Sequence, residues 1–377
     1  MTSSLFVLGR AAAPFLAPDA PRAPAARPRF AHLYVENKCN LRCAHCYESE
    51  ETHPSHLRLS LADYERVFDE LAALGVLVVT FSGGEVFLRR DFLDLVALAR
   101  KKRFAVRIYT SGTLLDERKA DEVKRLKVSE VHISLYSHDA EVHDGFTGIP
   151  GSWRRSVEAM RLLRARGVNT TMKTSVMTIN IDHLDELVAL AQSLDVSLLL
   201  SPEVYACISG DEAPTAYRVP PEELATKLFA RPELQDRLDP EAMQSDCGGT
   251  GRWTEGAGLC GVAQKLITVG ADGNIYPCAM YPRAGGHLRD GSIEDIWFRS
   301  RLFDELRRTR FRDMTKCSSC DVKAHCSPCM AYGEIEEGDR RGCNSTSKNS
   351  ATAVALVHER RRSAERKMGA GRQLPVV

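Results

Sequence analysis

From residue 30 onward, short apolar runs rich in β-favouring residues alternate with longer stretches in which apolar positions recur every three or four residues. Runs at 31–35, 76–81, 105–109, 131–135, 170–176 and 197–200 predict six strands. The intervening periodicity predicts helices over 61–74, 91–100, 116–126, 152–166 and 182–194. In the first helix Leu61, Tyr64, Phe68, Leu71 and Leu74 share one face, Ser60 can cap the first turn, and Gly75 can end the last. Strands alternating with helices imply parallel βαβ units with right-handed crossovers. An open or partial α/β barrel follows, with its chemistry on the loops after the strand C-terminal ends. Beyond about residue 235 this rhythm stops, and Gly and Cys take over.

Composition narrows the function classes. Among 377 residues, 51 Lys and Arg balance 50 Asp and Glu, a net charge of +1, so no nucleic-acid or membrane partner is expected. No apolar run reaches the roughly 20 residues that span a bilayer. The apolar stretch at 5–16 is interrupted by Arg10 and has no basic residue before it, a poor secretory signal, with an organelle transit segment as the alternative. A reducing, cytoplasmic setting is therefore expected, in which the 12 cysteines serve as metal ligands rather than disulfides. Residues 1–29, rich in Ala and Pro, read as a flexible lead-in.

Two features follow the first two strands. Cys39-Asn-Leu-Arg-Cys43-Ala-His-Cys46-Tyr47 offers three thiolates in a short loop and leaves a fourth metal position open; a zinc site completed by His45 or His53 is the alternative. Strand two ends in Ser82-Gly83-Gly84-Glu85, where paired glycines admit a ligand close to the backbone and Glu85 offers a carboxylate to a cation.

These residues resemble the radical S-adenosylmethionine (SAM) superfamily, whose Cys-x-x-x-Cys-x-x-Cys-aromatic motif matches Cys39, Cys43, Cys46 and Tyr47. The resemblance implies a partial (β/α)6 TIM-like barrel. It also implies a 4Fe-4S cluster on the three Cys, SAM bound through its amino and carboxylate groups at the open iron, and the amino group held by Gly83, Gly84 and Glu85. Reductive cleavage would give a 5'-deoxyadenosyl radical that abstracts hydrogen from carbon. Tyr47 and Ser134 are the remaining implied cofactor contacts. The chain has Thr110-Ser111-Gly112 where many relatives have Thr-Asn-Gly, and Thr147 where sulfatase-maturing relatives have Arg.

The C-terminal cysteines, Cys260, Cys278, Cys317, Cys320, Cys326, Cys329 and Cys343, resemble the SPASM extension of that superfamily, with two auxiliary 4Fe-4S clusters. The family pattern assigns Cys317, Cys320, Cys326 and Cys343 to an outer cluster, and Cys260, Cys278 and Cys329 to an inner one that Cys247 could complete. The alternative is a zinc ribbon. The turn at Ala271-Asp272-Gly273-Asn274 predicts a hairpin returning Cys278 beside the strand near Lys265. Ala279 stands where sulfatase-maturing relatives carry a catalytic Asp, which disfavours that activity.

The resemblance implies an enzyme that modifies a ribosomally made peptide by crosslinking, oxidation or epimerisation, or else matures a peptide-derived redox cofactor or a protein. A zinc-stabilised binding protein is the reading from another class. Cys207, after strand six, is the candidate hydrogen donor, with a buried structural thiol as its alternative. Expected partners are a precursor peptide, an electron donor such as flavodoxin or ferredoxin and, since only 38 residues precede Cys39, a separate leader-binding protein, with the barrel itself as the alternative reader of the leader. The expected divisions are the lead-in 1–29, the barrel 30–235, the cluster module 236–350 and a basic tail 351–377. Trp153, Trp253 and Trp297 read as packing residues, His138 and His143 as loop residues, and Arg307, Arg308, Arg310 and Arg312 as a solvated helix face.

Overall fold

The computed structural model describes residues 15–16, 21–48, 58–238 and 259–370. Strands β1 (Phe30–Glu36), β2 (Val78–Gly83), β3 (Ala105–Thr110), β4 (Glu130–Ser134), β5 (Thr170–Ser175) and β6 (Ser197–Ser201) pair parallel, each with the next in sequence. The helices between them are α1 (Leu61–Leu74), α2 (Phe92–Lys101), α3 (Glu117–Arg125), α4 (Ala140–Thr147), α5 (Ser152–Ala165) and α6 (Leu184–Ser193). The barrel stays open because β1 gives its second edge to β7 (Leu266–Val269), not to β6. β7 then pairs antiparallel with β8 (Asn274–Tyr276), and β8 with β9 (Gly286–His287), so the hairpin of the Cys-rich region extends the barrel's own sheet.

Local chemistry sets the element ends. At α1 the Ser60 hydroxyl accepts from the Asp63 N–H while the Asp63 carboxylate accepts from the Ser60 N–H, a reciprocal cap. Gly75, at φ 87°, closes the helix, and the Val76 N–H bonds back to the Leu71 carbonyl. Val76 therefore belongs to the helix stop, and β2 begins at Val78, two residues later than the apolar run suggests. Leu33, Val79, Phe81, Val106, Ile108, Val131 and Ile133 from the strands are fully buried against Phe68, Leu71, Leu95 and Val157 from the helices. Burial of each large apolar side chain contributes roughly 1.5–3 kcal/mol.

Four expectations change. Residues 140–147 form α4 rather than loop: the Asp139 side chain accepts from the Glu141 and Val142 N–H groups, and Gly148 ends the helix at φ 68°. His143 is therefore helical, buried, and accepts the Tyr136 N–H at Nδ1. Arg307 is not on a solvated face. Only 3% exposed, it donates to the carbonyls of Ala263 and Trp297 and stacks 4.8 Å above the Trp297 ring. Burial lowers its pKa to about 10. The described part of the lead-in is tied down, since the Ala23 N–H donates to Asp304, and the Ala26 carbonyl accepts from the Trp297 indole. The last helix, Ser345–Ala370, runs unbroken across the expected division at residue 350.

Candidate metal centre

The three-Cys loop leaves the C-terminal end of β1 and is held from several sides. Glu36 accepts the N–H groups of Asn37 and Lys38 and pairs with Arg58 at 2.8 Å, which fixes the turn into the loop. The C-terminal carbonyls of α4, left without helical donors, accept from the loop: Thr147 from the Arg42 N–H at 2.8 Å and Phe146 from the Ala44 N–H at 3.1 Å. The unforeseen helix is thus the loop's support. From the other side, the Ile208 N–H donates to the Tyr47 carbonyl and the Cys207 thiol to the Cys46 carbonyl, at 2.9 and 3.3 Å.

Within this frame the three thiols converge. Burial pushes Cys43 up to about 12, and the neighbouring sulfurs of Cys46 and Cys39 add to it. Burial likewise raises Cys46 to about 11, with Cys39 and Cys207 contributing. Cys39 is raised by burial and by the Glu85 carboxylate. Cys39 and Cys46 keep solvent-exposed surface, and Cys43 is half-buried. Mutually repelling thiolates at a strand end are stabilised by a bound cation, so the donor set fits a cationic iron-sulfur cluster. No group of three such side chains among the described residues is already closed to metal-ligand geometry.

The second motif meets the first. The Gly84 and Glu85 N–H groups donate to the Glu36 and Lys38 carbonyls. A Cβ at Gly83 would lie 2.1 Å from the Glu36 oxygen, and one at Gly84 would lie 2.3 Å from the Lys38 oxygen. Only glycine permits this approach. Glu85, 1% exposed, does not point openly into the mouth: its carboxylate accepts from Phe87, Thr110 and Ser111. Ser134 and Cys43 both lie beside the buried Tyr136 phenol, whose pKa burial raises well above its usual value. Tyr136 and Thr113, which joins Ser111 to Asn40, went unnoticed in the sequence because neither lies in a recognisable spacing. His45 is half-buried against Tyr136 and Phe146, its pKa lowered to about 4 by desolvation. His53 lies outside the described residues.

The C-terminal cysteines form two groups. Cys326 is raised to about 12 by burial and then by Cys317, Cys343 and Cys320, so four sulfurs share one region. Cys278 and Cys329 both act on the buried Tyr332 phenol, as does Tyr47 from the first loop. The Tyr34 hydroxyl donates to the carbonyl of Ala279, beside Cys278, at 3.2 Å. The Ala263 N–H bonds the Pro277 carbonyl, which draws the segment after Cys260 alongside Cys278 as the hairpin predicts. Cys247 and Trp253 lie outside the described residues.

Comparisons with known proteins agree with this geometry. The family model described as Radical SAM superfamily matches residues 33–191, and SPASM, an iron-sulfur cluster-binding domain, matches 260–321. The mycofactocin maturase MftC of Mycolicibacterium smegmatis is 31% identical over 78% of this chain and 76% of its own. The PqqA peptide cyclase of Gluconobacter oxydans is 28% identical over 77% and 81%. An AdoMet-dependent heme synthase of Oleidesulfovibrio alaskensis is 25% identical over 81% and 83%. Among solved structures, SuiB of Streptococcus suis bound to its precursor peptide SuiA superposes with a TM-score of 0.68 at 16% identity, over 86% of this chain and 76% of that one. It supports the fold, a partial barrel followed by a SPASM domain. The chain belongs to the radical SAM superfamily, as an enzyme carrying a SPASM iron-sulfur cluster-binding domain.

Proposed function

We propose that this enzyme reductively cleaves SAM and modifies a ribosomally synthesised peptide by hydrogen abstraction. The observation that carries the reading is the grouping of Cys39, Cys43 and Cys46 on the loop after β1, with Tyr47, Cys278 and Cys329 all in the neighbourhood of the Tyr332 phenol. When bound, the cluster and SAM supply a 5'-deoxyadenosyl radical. Cys39, Cys43 and Cys46 hold that cluster; Tyr47, Gly83, Gly84 and Ser134 bind SAM, while Glu85, its carboxylate engaged by Phe87, Thr110 and Ser111, braces that strand end rather than reaching the cofactor. Cys317, Cys320, Cys326 and Cys343 hold an outer auxiliary cluster, and Cys260, Cys278 and Cys329, with Cys247, an inner one. The Tyr34 and Tyr332 phenols are buried, with Tyr47 and Cys278 among the neighbours of both. Cys207 is the hydrogen-atom donor of this reading: its S–H bond breaks as a substrate C–H bond forms, and an electron from a flavodoxin- or ferredoxin-class donor together with a proton from solvent restores the thiol from the thiyl radical.

The peptide follows from similarity to the PqqA peptide cyclase, and a route to a peptide-derived redox cofactor from similarity to MftC. Similarity to the heme synthase raises a second substrate class, tetrapyrroles. The test is anaerobic reaction of the reconstituted enzyme with SAM, a reductant and peptides encoded beside its gene. The expected result is 5'-deoxyadenosine with a peptide mass change, either a loss of about two units or a gain of about one in heavy water. A modified tetrapyrrole with every such peptide untouched would overturn the peptide reading.

A further inference from the structure

The side chain of Glu85 fixes the direction of a hydrogen-bond chain across three loops. Oε1 accepts the Phe87 N–H at 3.1 Å and the Thr110 hydroxyl at 2.7 Å; Oε2 accepts the Ser111 N–H at 2.8 Å and the Ser111 hydroxyl at 2.6 Å. A carboxylate only accepts, so the single hydroxyl proton of Ser111 is committed to it. The 2.8 Å contact between Ser111 Oγ and Thr113 Oγ1 must then use the Thr113 proton. With that proton spent, Thr113 can only accept from Asn40, whose Nδ2 lies 2.8 Å away. Donation therefore runs one way, from Asn40 to Thr113 to Ser111 to Glu85. The Asn40 amide has a single allowed orientation, and its buried Oδ1 has no partner among the described residues.

Asn40 is the residue after Cys39, and Glu85 is the residue after the two glycines. We propose that Asn40, Thr113 and Ser111 are positioning residues, a one-directional relay that sets the height of the Cys39 loop over the Gly83–Gly84 backbone. SAM then meets cluster and strand end in one register. This rests on reading Cys39, Cys43 and Cys46 as ligands of the radical cluster. Ser111 suits the task, since one hydroxyl can both donate to the carboxylate and accept from Thr113.

Thr113→Val removes the middle hydroxyl at nearly constant volume, Thr113→Ser keeps it, and Asn40→Asp places an acceptor where the relay needs a donor. In reconstituted full-length protein, Thr113→Val and Asn40→Asp are expected to retain wild-type iron while SAM affinity falls about tenfold, the loss typical of one or two buried hydrogen bonds. The SAM-induced change in the reduced cluster's electron paramagnetic resonance spectrum should weaken in parallel. Thr113→Ser should restore both. In the metal-free chain, amide exchange across 39–46 should quicken in Thr113→Val alone of the two threonine variants. Wild-type SAM affinity and spectrum in Thr113→Val and Asn40→Asp, or a Thr113→Ser variant as impaired as Thr113→Val, would overturn the relay. A wild-type protein that holds iron but binds no SAM would instead overturn the functional reading beneath it.

Discussion

Cys207 donates its thiol proton to the backbone carbonyl of Cys46 at 3.3 Å, which sets the post-β6 segment directly against the three-Cys loop. Cys207 is 8% exposed, and the adjacent Ile208–Tyr47 backbone bond makes the contact a two-point tie. A serine hydroxyl can make the same bond, but an O–H bond is far too strong to yield hydrogen to a carbon radical. Cys207→Ser is therefore expected to keep wild-type iron and 5'-deoxyadenosine formation while losing solvent-derived hydrogen in the product. Deuterium incorporation in heavy water, followed by mass spectrometry, checks this. Undiminished incorporation leaves Cys207 only its structural tie.

Gly84→Ala should disable the site by backbone collision. The added Cβ would lie 2.3 Å from the Lys38 oxygen and 2.5 Å from its carbon, backbone atoms with no flexible end to yield. Relief must move either β2 or the Cys39 loop, at a cost of about 3 kcal/mol. The thermal midpoint should fall and SAM affinity should be lost, as read by melting curves and equilibrium binding. Gly210→Ala, in open space, controls for the general effect of losing a glycine, although its φ of 92° adds modest strain.

Acid sensitivity should trace in part to His32. Burial, then Lys173 and Arg107, lower its pKa from 6.5 to about 4. The folded protein therefore keeps it neutral where the unfolded chain has already taken up a proton. Its contribution to stability is complete above pH 6.5 and is lost as pH falls towards 4, amounting to about 2 kcal/mol between pH 7 and 5. The Nε2 atom has no hydrogen-bond partner among the described residues, and Tyr34 and Tyr109 rings lie 5.2 and 5.9 Å away, so His32→Phe forfeits no bond there. Urea midpoints should fall less between pH 7 and 5 in His32→Phe than in wild type. Parallel falls would exclude this residue as the cause.

Much of the architecture was legible because strand runs, helical periodicity and the caps at Ser60 and Gly75 are local signals. Pairing partners are not local. Nothing in the 266–269 run says that it will lie along β1 and hold the barrel open. Helix α4 was missed because its eight residues carry little apolar periodicity, although Asp139 preceding Glu141 is a cap signal that was available. Basic neighbours make Arg307 look like part of a solvated face in the sequence, whereas its surroundings, the Ala263 and Trp297 carbonyls, are set by tertiary packing. At the site, cysteine spacing identified the thiols. The Asn40–Thr113–Ser111–Glu85 chain required three loops to be brought together in space.

The central claim, three thiols for a radical cluster and a separate cysteine module for auxiliary clusters, is tested most directly by iron content paired with SAM cleavage. Anaerobically reconstituted wild-type protein should hold about twelve irons per chain. Cys43→Ala should lose about four of them and form no 5'-deoxyadenosine, whereas Cys320→Ala should lose a different four or so and still cleave SAM. Zinc in place of iron, or SAM cleavage that survives in Cys43→Ala, would contradict the account.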